Sequence, residues 1–205
     1  YKMAIEEGCP QAMHNYPIML MDGIGIEKDY KEALKYLKMA IEKDVAAAMD
    51  GYAIMLQKGL GVDVNYEEAI KYYKMAIDRG FASAMNNYGY LLNFGIGVDV
   101  NYKEAIKYYK MAIDKGDMNA MNNYARMLWS GWGVEVDKKE AEKYYKMAID
   151  KNNTDAMINL GIDLLRDNES QERVQEGVRY AIMAAERGNQ LALYQYALFL
   201  DNGYL

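Results

Sequence analysis

The heptapeptide Tyr-Tyr-Lys-Met-Ala-Ile-Asp stands at 72–78 and returns unchanged at 108–114 and 144–150. Weaker copies begin at Tyr36 and Tyr180, a cut copy opens the chain at Tyr1, and Met3, Met39, Met75, Met111, Met147 and Met183 follow one another at intervals of 36 residues. A fixed period of this length constrains the fold more than any compositional figure, because one supersecondary unit must bury its apolar face against copies of itself. The 205 residues are therefore expected to form a single stack over 1–205. It comprises a partial helix at 1–8, five units at 9–44, 45–80, 81–116, 117–152 and 153–188, and the first helix of a sixth unit at 189–205.

Each period holds two helices. Ala12, Met13, Tyr16 and Leu20 recur as Ala48, Met49, Tyr52 and Leu56, then as Ala84, Met85, Tyr88 and Leu92, and as Ala120, Met121, Tyr124 and Leu128. Spacings of one, three and four put them on one face of a helix, here helix A. Helix A closes on a two-glycine loop, Gly23-Ile24-Gly25, with copies at 59–61, 95–97 and 131–133. A nucleotide-binding glycine loop follows a strand, whereas these end a helix and repeat with the fold, so they are read as hinges of an αα-hairpin. Helix B opens with a capping box in four units: Asp29 with Glu32, Asn65 with Glu68, Asn101 with Glu104 and Asp137 with Glu140. Its expected apolar stripe is Ala69, Tyr72, Tyr73, Ala76 and Ile77, and it stops at Gly80, Gly116 and Gly188, or at Asp44 and Asn152, residues that tolerate a left-handed backbone.

The architecture predicted is all-α, a right-handed superhelix of about eleven helical segments without a sheet. Two irregularities stand out. Pro17 falls inside the first helix A and is expected to kink or delay it. In the fifth unit Asp167 and Glu169 replace the loop glycines and Arg173 takes the cap position, which predicts a differently shaped loop.

Composition excludes several function classes. The net charge of -6 and pI near 5.0 provide no broad positive field, so nucleic acid and anionic membranes are poor partners and a basic or neutral protein surface suits better. Cys9 is the only cysteine, which rules out an internal disulfide framework and favours a reducing, cytoplasmic compartment. Asn152-Asn153-Thr154 and Asn168-Glu169-Ser170 fit the glycosylation acceptor pattern and keep a secretory route open. No apolar run approaches the roughly 20 residues of a membrane span. The first residue falls inside a repeat, so further repeats or a leader are expected outside this sequence.

No residue pattern points to catalysis. His14 is the only histidine, and a helix break separates it from Cys9, so the two are not read as a thiol–imidazole pair. No catalytic residue, metal ligand or cofactor is assigned. Eleven of the sixteen methionines recur at two fixed repeat positions, which assigns them to the core rather than to a soft metal site.

An Ala-rich helix A, a Gly-x-Gly-Val turn and a helix B with a Tyr-x-x-Ala entry resemble the Sel-1-like repeat family, a branch of the tetratricopeptide-like α-solenoids. The residues that carry the likeness are clearest over 82–116: Ala82, Ala84, Gly89, Leu92, Gly95, Gly97, Val98, Tyr102, Ala105, Tyr108, Tyr109, Ala112 and Gly116. Tyrosine stands where the family often has tryptophan in helix B. The resemblance implies a non-enzymatic scaffold or adaptor that binds a peptide or protein surface. Family members occur in endoplasmic-reticulum quality control, as activators of membrane enzymes and in bacterial contacts with host proteins. The alternatives it implies are a regulatory subunit of a membrane enzyme or quality-control complex, and a hydrolase or β-lactam-binding protein. Cysteine-rich secreted members suggest the last, but their cysteine pairs are missing here.

By the same resemblance the A helices line a concave groove. With Met85, Tyr88, Gly89 and Leu92 facing the core, the groove positions are Asn86, Tyr90, Asn93 and Phe94 in the third unit, and Asn122, Arg126 and Trp129 in the fourth, with Asp50, Ile158, Ile162 and Arg166 among those of other units. They vary where the rest of the repeat does not. The set predicts a centre for a peptide bearing an apolar and an acidic side chain. The exposed apolar ends, including Tyr196, Phe199 and Leu200, predict end-to-end self-association.

Overall fold

The computed structural model describes residues 1–6, 9–167, 170–189 and 194, and all their side chains except those of Lys2, Glu6, Pro10, Gln11 and His14. Among them it contains eleven helices and no strand. The expected sixth helix A, with Tyr196, Phe199 and Leu200, falls almost entirely outside the described residues, as do Gly8 and the side chain of His14. The chain forms two compact units, Tyr1–Ala112 and Ile113–Leu205.

The first unit begins with α1 (Lys2–Glu6), a helix-B remnant, and then alternates A and B helices. These are α2 (Pro10–Asp22), α3 (Tyr30–Glu42), α4 (Ala46–Lys58), α5 (Tyr66–Asp78), α6 (Ala82–Phe94) and α7 (Tyr102–Asp114), whose last two residues belong to the other unit. The cap half of each box forms, but the glutamate does not return to the cap amide: Asp29 accepts from the Glu32 amide at 2.9 Å, and Asn65 and Asn101 accept from those of Glu68 and Glu104 at 3.0 Å. Each cap is worth about 1 kcal/mol. The amide of the cap residue donates back to a helix-A leucine carbonyl, Asn65 to Leu56 at 3.0 Å and Asn101 to Leu92 at 2.8 Å, which closes the hairpin.

Within each hairpin the helix-A tyrosine stands edge-on to the first tyrosine of the heptapeptide. The centroids of Tyr16 and Tyr36, Tyr52 and Tyr72, and Tyr88 and Tyr108 lie 5.0, 4.8 and 4.9 Å apart. Such pairs contribute about 0.5–1.5 kcal/mol beyond burial. The second loop glycine joins successive hairpins. A Cβ on Gly97, at φ +67°, would lie 2.1 Å from the Cβ of Tyr66, so glycine lets the loop rest on the preceding helix B.

Helix-B ends carry a second connection between repeats. Asp44 and Asn152 adopt the left-handed conformation that glycine takes in the other copies. Each is met by an arginine 35 residues on: Arg79 Nε donates to Asp44 at 2.7 Å, and Arg187 donates to Asn152 at 3.2 Å. Where glycine stands instead, at Gly80 and Gly116, the residue 35 positions later is Lys115 or Lys151.

Three expectations are corrected. Helix α2 starts at Pro10 and runs without interruption through Pro17 for the same 13 residues as its counterparts α4 and α6. The helix-A methionines Met13, Met49, Met85, Met121 and Met157 are buried, but those of helix B are not: Met39, Met75 and Met111 are half-buried, and Met3, Met147 and Met183 are exposed. The helix-B core stripe is Ala69, Tyr73 and Ala76, and Met75 projects from its flank.

The third correction lies in the second unit, built from α8 (Met118–Ser130), α9 (Lys138–Asp150), α10 (Thr154–Asp167) and α11 (Gln171–Glu186). Its first hairpin repeats the pattern, with Asp137 capping Glu140 at 2.9 Å and Tyr124 5.0 Å from Tyr144. In the next, helix A runs to Asp167 and the cap is Ser170, which accepts from the Arg173 amide at 3.3 Å. Helix B thus starts three residues early, and Arg173 is not the cap but an internal residue paired with Glu142. The two helices cross on paired glycines: a Cβ on Gly161 would lie 2.9 Å from the Gly177 carbonyl oxygen, and one on Gly177 2.8 Å from that of Gly161.

Candidate functional site

Helix A has more neighbours than helix B and buries more than one stripe; α6 buries eight of its thirteen residues, α5 three. The asparagines expected to face a groove are therefore enclosed. Asn86, Asn93 and Asn122 are only 7, 6 and 7 % exposed, and Asp50 and Ile158 are buried as well. Two of these serve joints between A helices: Asn87 donates to Asp50 and Asn159 donates to Asn122, each at 2.9 Å. A buried amide that spans two repeats has little to offer a partner.

The aromatic positions are placed differently. In the first unit Tyr90 and Phe94 are exposed, their rings 4.5 Å apart. In the second unit Trp129 is half-buried, with the Lys138 ammonium 5.8 Å from its ring.

Arg126 opens a site that the other positions do not. It lines a pocket of about 280 Å³ in the second unit together with Ser130, Trp132, Tyr145, Asn159, Ile162, Asp163 and Arg166. Helices α8 and α10 supply the walls, Tyr145 of α9 the floor, and the loop tryptophan Trp132, 5.7 Å from the Arg126 guanidinium, one rim. Tyr145 is fully buried and donates to the Asp163 carboxylate at 2.8 Å. Burial pushes the Asp163 carboxyl above the ordinary carboxylate range, opposed by the Tyr145 hydrogen bond and by the charges of Arg166 and Arg126. Burial, and then the Asp163 charge, raises the Tyr145 hydroxyl well above a free phenol. Two guanidiniums around one carboxylate leave the pocket at +1, able to take an anion by charge-assisted hydrogen bonds.

Of the seven groove residues expected in the third and fourth units only Arg126 lines this pocket; Ile162 and Arg166, expected groove positions of the fifth, line it too. Asp163, Tyr145, Asn159 and Trp132 were missed. One signal was available for Asp163: its counterparts Met55, Leu91 and Met127 are apolar, so the acid breaks a core position. Among the described residues no cluster of three or more His, Cys, Asp or Glu could hold a metal, and no helix is long and apolar enough to cross a membrane. The exposed thiol of Cys9 is described, but the side chain of His14 is not, so their relation lies outside the described residues.

Helical hairpins repeating at 36 residues define an α-solenoid class of repeat protein. The Sel1 repeat model matches 10–45, 46–81, 82–117, 119–153 and 154–189, and the chain belongs to the Sel1 repeat family. A Sel1 repeat protein from Oxalobacter formigenes is similar at 30% identity over 93% of this chain and 78% of its own, with a TM-score of 0.76. The c5321 protein, described as a protective antigen of uropathogenic Escherichia coli with an SLR fold, is 26% identical over 99% of this chain and 44% of its own, with a TM-score of 0.69. The immunity protein Pa5087 of Pseudomonas aeruginosa shares the fold alone, at 16% identity, 89% and 67% coverage and a TM-score of 0.67. No curated protein matches the sequence. Sel1 repeat proteins are generally protein-interaction scaffolds, and the fold is typically non-enzymatic.

Proposed function

We propose that this chain is a non-enzymatic scaffold that holds a peptide segment or protein surface on its A-helix side, anchored in the Arg126–Arg166 pocket. The observation that carries the reading is the convergence at one pocket of residues that depart from the repeat. Arg126 stands where the other units have Ile18, Ile54, Tyr90 and Ile162; Arg166 corresponds to Lys58, Phe94 and Ser130, and Asp163 replaces a core residue. Tyr90 and Phe94 offer a second, apolar contact of the kind in which interface energy concentrates.

Selection of binders from a random displayed-peptide library tests this. Peptides selected on the protein should lose about 1–3 kcal/mol of affinity to Arg126→Ala or Arg166→Ala with helicity unchanged. Charge reversal of Lys71 and Lys107 on helix B should have little effect. Selected peptides that ignore the pocket variants but are lost on the helix-B reversals would place the working face on the B helices.

A further inference from the structure

The charge pattern of the pocket narrows what it takes. Asp163 sits at a position where Met55, Leu91 and Met127 are 0 % exposed, so its carboxylate is held in a place the fold elsewhere keeps apolar. Tyr145 fixes one of its oxygens from below, and Arg166 and Arg126 supply its counter-charge. Taken with these three charges the pocket is a monocation, on a chain whose net charge is -6.

We propose that the pocket binds the carboxylate of an aspartate or glutamate side chain in a partner segment, received by Arg126 and Arg166 in competition with Asp163. The inference rests on the pocket being the anchor proposed above. Three features select this occupant. A volume of about 280 Å³ falls just below the range of small-molecule sites and suits one side chain. A single negative charge balances the +1, whereas a phosphate dianion would leave an excess beside Asp163. The Trp132 and Ile162 side chains give the methylenes of the incoming residue an apolar wall. The acidic background of the chain disfavours a partner with many acids, so the carboxylate comes from an otherwise neutral or basic segment. Asp163 acts as an internal rival: its carboxylate lines the same pocket and repels an incoming one.

The experiment titrates four small probes into the whole chain: N-acetyl-glutamate methylamide, N-acetyl-glutamine methylamide, N-acetylglycine as a chain-end carboxylate, and inorganic phosphate. The readout is the NMR shift of the Arg126 and Arg166 Nε–H groups, assigned with arginine-to-lysine variants. The glutamate probe should shift both groups at least ten-fold more tightly than the glutamine probe, and Arg126→Ala or Arg166→Ala should each abolish the effect. Asp163→Asn, which keeps an oxygen to accept from Tyr145, should tighten the glutamate probe at least threefold. General disruption of the pocket cannot produce that gain. Equal response to the glutamine probe, tighter binding of N-acetylglycine or phosphate, or weaker or unchanged binding by Asp163→Asn would each overturn the proposal. Failure of the scaffold reading is a separate result, seen when library-selected peptides bind independently of the pocket.

Discussion

The third and fifth repeats use the same positions to opposite ends. On the A helix of the third, Leu91 is buried and Tyr90 and Phe94 form an exposed aromatic pair; on that of the fifth, the equivalents of Leu91 and Phe94 are Asp163 and Arg166, both lining the polar pocket. The third keeps its glycine turn and its edge-on tyrosines, while the fifth has Leu160 where the others have tyrosine, a cap moved forward to Ser170, and glycines at both crossing positions. The edge-on tyrosine and the glycine turn are therefore dispensable once the helix pair is drawn together by other means, and the A face can then carry charge.

The largest expected effect tests that close approach. Alanine fills both crossing positions in other repeats, as Ala53 and Ala125 for Gly161 and as Ala69 and Ala105 for Gly177, so repeat averaging would favour alanine. The carbonyl contacts below 3 Å say the reverse: Gly161→Ala and Gly177→Ala should each destabilise by about 1–3 kcal/mol in urea denaturation. In Gly51→Ala the added Cβ meets only the tip of Leu37 at 3.0 Å, and helix propensity should make the change neutral or stabilising by up to about 1 kcal/mol.

The tyrosine hydroxyls sharpen the comparison. Tyr73 donates to the neutral Gln57 at 2.7 Å, whereas Tyr145 donates to the charged Asp163. Tyr145→Phe should cost about 1.5–3 kcal/mol and Tyr73→Phe about 1 kcal/mol, measured in the same urea series.

The pH dependence is smaller and has a definite sign. A carboxyl whose pKa is raised on folding binds its proton more tightly in the native state, so it disfavours folding above that pKa and the deficit disappears as pH falls toward the unfolded value near 3.9. Facing Asp163 are Tyr145, Arg166, Arg126 and Asp167. Relative to Asp163→Asn, the parent should gain stability as pH is lowered from 7 to 4. A parent that instead loses stability would show that the arginines outweigh the burial.

The smallest effect concerns the helix-B joint. Asp44→Gly combined with Arg79→Lys rewrites it as the glycine–lysine pairing found elsewhere; relief of the left-handed aspartate offsets an exposed ion pair, and the urea midpoint should stay where it is in the parent.

What the sequence made legible follows from periodicity. Helix positions, capping boxes and hairpin turns repeat, so each copy corroborates the others, and the stop positions at Asp44 and Asn152 were readable because glycine marks the same place in other units. The site was readable only where side chains point from the variable rows, as for Arg126 and Arg166. Asn122 misled because one repeat cannot reveal that Asn159 of the next A helix closes over it, and Asn86 is buried as well. Asp163 and Tyr145 meet across 18 residues in neighbouring helices, and no spacing within a single helix links them.

The central claim is that the fold and the site occupy separable sets of positions. It is tested by rewriting the pocket with the third repeat's own residues, Arg126→Tyr, Trp132→Ile, Asp163→Leu and Arg166→Phe in one protein, and measuring circular dichroism alongside affinity for library-selected peptides. The account predicts unchanged helicity with peptide binding lost at least ten-fold. Full binding by this variant, or loss of its helical signal, would contradict it.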